Sequence, residues 1–319
     1  MRPSPALEAP NREAEPDPPA HPDPPAHPAL DNQTIELLLS RKSIRDYEDR
    51  PVPEEVKDLV LASAMRSATA GNMMLYQIIE VEDKRRREAL SHSCDEQPFI
   101  AKAPWILVFV ADFQRWYDYF VHTGAPAMEG AGRSGGDLPA GGGVGEGEGV
   151  NVGVGGGIPG TPVTSRNAPT PSESDLFLAM SDALIAAQSA ATAAEALGLG
   201  SCYIGDIMEN YEEQREFFSL PPWAFPVAML TIGWPTQAQK QRKQPGRFDR
   251  KFIVAKERYR FIKPEEYDEL FGSSPTKGAP FLPGAANYGQ HVWKKKFSNA
   301  FMDEMRRSVR AALESWRGQ

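Results

Sequence analysis

Cysteine is scarce in this chain: Cys94 and Cys202 are the only two in 319 residues. Two thiols build neither a disulfide framework nor a cysteine-rich metal centre, so a hydrophobic core must supply the stability. Histidine is scarce too, and two of the five, His21 and His27, stand in a proline-rich tail. Positive charge is in deficit: 35 Lys and Arg against 43 Asp and Glu leave a net −8, which argues against non-specific nucleic-acid binding. No apolar run reads as long enough to cross a bilayer, and the first residues lack the apolar stretch of a secretory signal. The expectation is a cytoplasmic protein in a reducing compartment, with no membrane, nucleic-acid or metal partner. Its 41% hydrophobic content suits a globular body with polar appendages.

Two segments stand apart from that body. In residues 1–30 the hexapeptide Asp17–Pro22 repeats at once as Asp23–Pro28, a composition with too little apolar surface to offset ordering entropy. Residues 124–172 hold glycine runs such as Gly141–Gly143 and Gly155–Gly157 and no aromatic residue, as a flexible low-complexity insertion does. Loop closure costs only about 0.6 kcal/mol per doubling of length, so a fold tolerates it.

The rest alternates helix and strand, an α+β pattern around a small central sheet. A short helix carries Ile35, Leu37, Leu38 and Leu39 after a cap at Asp31 or Asn32. Pro53, Glu54 and Glu55 open a second helix with Val56, Leu59 and Val60 on its buried side. Strands are expected at 76–81, 105–110, 203–204 and 225–232, with a further extended segment at 252–259. The apolar run Trp105–Val110 reads as a strand covered on both faces. Lys84–His92 and Glu212–Phe218 read as helices. The aromatic helix Phe113–Phe120 suits either core packing or a lid over a flat ligand. A long helix runs from the capping residues Ser172–Asp175 to Leu197, with a stripe of Leu176, Met180, Leu184, Ala187 and Ala191. At the C-terminus, 291–316 reads as one helix, with Phe297, Phe301, Met305, Val309, Leu313 and Trp316 on one side.

Three short stretches carry chemistry. Arg41-Lys42-Ser43-Ile44-Arg45 places three cations and a hydroxyl within five residues of an acidic chain. Guanidinium forks grip phosphate oxygens in pairs, and Arg41 and Arg45 would share a side if the segment were helical. A solvated charge run is the plainer reading. Next comes Ser67-Ala68-Thr69-Ala70-Gly71-Asn72, and later Gly198-Leu199-Gly200-Ser201-Cys202-Tyr203-Ile204-Gly205-Asp206. A glycine-bounded strand alone suggests no more than a tight helix-to-strand turn.

In this order the three stretches resemble the FMN-dependent nitroreductase family over roughly residues 31–272, apart from the insertion. The resemblance implies a homodimer with shared FMN sites, the long alanine-rich helix in its core. It implies that Arg41, Lys42, Ser43, Arg45 and Arg247 hold the phosphate end of FMN. It also implies that Thr69, Ala70, Gly71, Asn72 and Met74 reach the ring, from the other subunit. Backbone N–H groups near Gly205 and Asp206, after Tyr203 and Ile204, would sit at the flavin atom where hydride arrives and leaves. The implied cycle takes hydride from NAD(P)H and passes it to a flat acceptor such as a nitroaromatic or quinone, so the cofactor rather than a catalytic side chain carries the chemistry.

The chain departs from the family pattern after Asn72. Met74, Leu75 and Tyr76 stand where glutamine, proline and tryptophan are common in the family, and a thioether packs on a ring without bonding its edge as an amide does. Pro245 replaces a lysine before Arg247. A flavoenzyme of the same fold with another reaction, such as dehalogenation or flavin reduction, and a non-catalytic flavin-binding protein are the alternatives. The domain is expected to be complete near residue 272, so the apolar stripe of 273–319 is expected to pack across a partner subunit, with folding back on its own subunit as the competing arrangement.

Overall fold

The computed structural model describes residues 32–125, 170–272 and 280–317. The proline-rich tail, nearly all of the glycine-rich insertion and part of the loop after 272 lie outside the described residues. Four strands form one antiparallel sheet in the order β1-β2-β4-β3. They are β1 (Tyr76–Val81), β2 (Trp105–Asp112), β3 (Gly200–Ile204) and β4 (Ala224–Gly233). The helices are α1 (Gln33–Ser40), α2 (Glu54–Met65), α3 (Lys84–Ser93), α4 (Pro98–Lys102), α5 (Gln114–Thr123), α6 (Glu173–Ala196), α7 (Tyr211–Phe218), α8 (Gln237–Gln241), α9 (Arg250–Ile253), α10 (Tyr267–Gly272), α11 (Tyr288–Lys296) and α12 (Ala300–Trp316).

β2 is buried along its whole length. Side chains alternate across a strand, so Trp105, Leu107, Phe109 and Ala111 enter one core cluster with α2 and α6. Ile106, Val108 and Val110 enter the other, with Leu90 of α3 and Ile100 of α4. The continuous apolar run is thus the consequence of cover on both faces.

α6 has 24 residues, roughly 36 Å at 1.5 Å per residue, and crosses all four strands. Its buried side is built from Leu176, Ala179, Ala183, Ala186, Ala187, Ala190, Ala191 and Ala194. The expected stripe holds only in part: Leu184 is 43% exposed, because the alanines take the inner face and let the helix lie close to the sheet. By length and composition α6 could cross a membrane, against the reading of the sequence, yet its alanine face is packed inside the protein, as in a core helix.

Two further expectations fail. Residues 252–259 form no strand: α9 occupies their start, and Tyr259 meets Phe261 edge to face in solvent. The C-terminal helix is broken at Phe297, where Asn299 caps α12 by accepting from Met302 N–H at 3.0 Å. α12 then folds back on its own subunit, burying Ser308, Ala312 and Trp316, the last member of the expected stripe, with Leu313 partly buried beside them. Ser308 and Ala312 are small enough for close approach. Arg307 forks onto Glu212 of α7 at 2.7 and 2.9 Å, and Trp316 lies 1% exposed in the core, its indole donating to Ser172 O at 2.9 Å. Aromatic-to-alanine changes in a packed core cost about 3–5 kcal/mol. Trp316→Ala is therefore expected to lower the free energy of unfolding by about that amount in urea titrations; a loss under about 1 kcal/mol would mean that the C-terminal helix is not part of the core.

Candidate functional site

α1 ends at Ser40, and Arg41 turns to extended backbone (φ −57°, ψ 136°), so the basic stretch is a loop and not a helix. Extended backbone sorts alternate residues to opposite sides. Ile44 is buried, its N–H donating to Ser201 O at 2.9 Å. Lys42 is tied to backbone, donating to Lys240 O at 2.8 Å and to Arg242 O. Burial, then the nearby Arg242, pulls its ammonium below the usual range. Arg41, Ser43 and Arg45 take the other side, over β3. Burial pushes the Cys202 thiol up, and Arg45, Ser43 and Arg41 each act against that rise. Arg41 lies 3.2 Å from Glu195 of α6, and Tyr47 anchors the loop to β4 by bonding Ile44 O at 2.7 Å and Thr231 Oγ1 at 2.8 Å. Gly200 makes this approach possible: a Cβ there would lie 3.0 Å or less from three carbons of Ile44.

Thr69, Ala70, Gly71, Asn72 and Met74 lie on a second loop, between α2 and β1, which opens on a single 3₁₀ turn, Ala70–Asn72. Gly71 and Asn72 are exposed at its tip, and Met74 is half-buried against the core. From α5, Trp116 Nε1 donates to Met73 O at 2.8 Å and Arg115 to Met74 O and Tyr76 O, both at 2.8 Å. The aromatic helix thus divides its duties, since Tyr117 is buried against Trp223 while Trp116 braces this loop.

The third stretch runs along β3. Tyr203 bonds Gln188 of α6 at 3.4 Å, burial pushing its hydroxyl up to about 12, and Ile204 is buried in the core. Gly205 then opens a 3₁₀ turn, Asp206–Met208. The Asp206 carboxylate accepts from Gln97, and burial raises its pKa. Arg247 is exposed and bonds its own neighbours, Pro245 O and Gly246 O, while Gln244 of the same segment donates to Arg41 O at 2.7 Å. Arg242, which the sequence motifs did not mark, is there instead, its guanidinium donating to Ser43 O. Asp182 and Glu195 also escaped notice, because on one sequence an acid inside a helix looks like solvated surface.

A phosphate needs donors with no other duty. Arg41 Nη2 and Arg242 Nε are buried and without hydrogen-bond partners among the described residues, which fits an anion at the basic loop. The turn after β3 has the opposite character. Glu209 is 4% exposed with Oε1 unpartnered, and burial, followed by Asp206, Asp95 and Glu304, pushes its carboxyl from 4.5 up to about 8. A carboxyl raised on folding favours the folded state while protonated in it. This contribution is full below pH 4.5 and is lost as pH rises through about 8. Unfolding titrations between pH 5 and 9 are expected to show stability falling, with a shallower fall in Glu209→Gln; parallel curves would contradict the buried carboxyl.

The sequence model of the Nitroreductase family matches residues 38–234. An oxygen-insensitive NADPH nitroreductase of Salmonella typhimurium is 25% identical over 276 residues, 86% of this chain and 92% of that protein. An FMN reductase (NAD(P)H) of Bacillus subtilis is 31% identical over 214 residues, 67% of this chain and 70% of that one. The solved B. megaterium NfrA2 superposes with a TM-score of 0.63 at 26% identity, covering 89% of this chain and 97% of its own. With the basic loop, the small-residue loop and the glycine-bounded strand set around one antiparallel sheet, the chain belongs to the nitroreductase family.

Proposed function

We propose that this protein is an FMN-dependent oxidoreductase that draws reducing equivalents from NAD(P)H and delivers them to a small flat acceptor such as a nitroaromatic or a quinone. The observation that carries the reading is the pair of buried guanidinium atoms without partners, on Arg41 and Arg242, beside Ser43. The relatives' names, NADPH nitroreductase and FMN reductase, point the same way. FMN, when bound, supplies two-electron hydride chemistry. The chain's own part is binding and orientation. Arg41, Ser43 and Arg45 hold the phosphate end, with Arg242 behind them. Asn72 offers an amide that donates and accepts at once, matched to a ring edge of alternating acceptors and a donor. Backbone N–H groups at Gly205 and Asp206 face the reacting edge.

The working unit in this reading is a homodimer. Large apolar side chains stand exposed on neighbouring helices: Ile35, Leu38 and Leu39 on α1, Phe177, Leu184 and Ile185 on α6. A second copy would cover such a patch. The buried, unpaired thiols Cys94 and Cys202 suit a reducing cytoplasm.

Two measurements test this. Apoprotein titrated with FMN is expected to bind it, and Arg41→Ala to weaken that binding by about tenfold or more, since a charged hydrogen bond contributes about 1.5–3 kcal/mol. Affinity for riboflavin, which lacks the phosphate, is expected to stay level in the same variant; a wild-type protein that binds no FMN would overturn the assignment. Light scattering is expected to return twice the chain mass of 35.1 kDa, and a monomer at micromolar concentration would refute the dimer.

A further inference from the structure

Asp182 is an anomaly on its helix. It lies on the inner face of α6, among alanines, and is only 2% exposed. Burying a carboxylate costs desolvation, and an apolar residue of similar size would pack the same place without that cost. No salt bridge reaches Asp182 among the described residues. Its oxygens are taken by one segment instead. Oδ1 accepts from Ala70 N–H at 3.0 Å, and Oδ2 from Leu75 N–H at 3.2 Å and from the Thr69 hydroxyl. The Thr69 oxygen in turn accepts from Met74 N–H at 2.8 Å. All of these donors belong to residues 69–75, so the carboxylate gathers both ends of one short loop.

That loop needs gathering. Gly71, Asn72 and Met74 have φ of +54°, +56° and +51°. A left-handed backbone is free for glycine and costly for residues with a side chain. Two such residues so close together persist only where the surroundings over-determine them. Trp116 and Arg115 hold Met73 O and Met74 O from the α5 side. Asp182 holds the N–H groups from the α6 side. Between the two sets of bonds, Asn72 is left exposed at the tip.

We propose that Asp182 is the positioning residue for flavin recognition in this protein: its buried carboxylate sets the backbone of residues 69–75 so that Asn72 is presented to the ring edge. The inference rests on the assignment of Asn72 to the flavin ring given above. Asp182 touches no ligand itself and works only through the loop.

A double-variant cycle tests this, with affinity for riboflavin and FMN read by flavin fluorescence. Asn72→Ala is expected to weaken both flavins by about tenfold, the order of a lost hydrogen bond to a buried partner. Asp182→Ala is expected to weaken both by a similar factor. Asp182→Asn, which keeps one acceptor oxygen, is expected to recover part of the loss. The double variant Asp182→Ala/Asn72→Ala is expected to be no worse than either single one, because groups that act through one another are not additive. A merely structural role would give multiplied losses. Where Asp182→Ala does not fold, Thr69→Val removes two of the loop's bonds and enters the same cycle in its place. Multiplied losses in a protein whose wild type binds FMN would overturn the role of Asp182 alone. Unchanged affinity in Asn72→Ala would overturn it too, and a wild type that binds no flavin would overturn the function with it.

Discussion

The close seating of α6 on the sheet is the contact on which the rest depends. Alanine at nearly every inward position removes side-chain bulk, so the helix lies near enough for its few inward polar groups to reach across. Asp182 reaches the 69–75 loop and Glu195 reaches Arg41 and Ser201. One helix thereby holds both the 69–75 loop and the basic loop. Asp182 and Glu195 are thirteen residues apart, roughly 20 Å along the helix. A bulkier inner face would lift the helix and break these bonds together.

A second close approach works with the first. Ile44 fills the space that a side chain on Gly200 would need, and its N–H joins the edge of β3. The loop is held by its one apolar residue, while the charged residues on either side are free to serve different ends. Lys42 binds backbone carbonyls; Arg41 and Arg45 lie on the side of Cys202. The site is electrically divided as a result. Guanidinium groups gather at one end of β3, and Asp206 and Glu209, both raised in pKa by burial, follow its other end.

The family character was legible in order and type. The basic stretch, the small-residue stretch ending in Asn72 and the glycine-bounded strand stand in sequence, and the four strands fall where apolar runs announce them. Failures came where one pattern serves two structures. The β-rich composition of residues 252–259 suggested a strand, but no described strand pairs with it, and Tyr259 stands in solvent edge to face with Phe261. The near-heptad stripe from Phe297 to Trp316 suggested one continuous helix. Asn299 interrupts it, and the small residues between the large ones decide how the second half docks.

Local chemistry therefore determined what this chain is equipped to do: which residues can hold an anion, where backbone must turn left-handed, and which runs must be covered on both faces. These follow from side-chain charge, from the glycine and asparagine at the loop tip, and from apolar periodicity, all of which act over a few residues. Only the tertiary structure decided which of those groups meet. Arg242 joined Ser43, Arg247 bonded only its own neighbours among the described residues, and Asp182 proved to be a buried support rather than a surface acid. The Arg242–Ser43 pairing spans 199 residues. The energies of such pairings depend on burial and direction, which no short window of sequence contains.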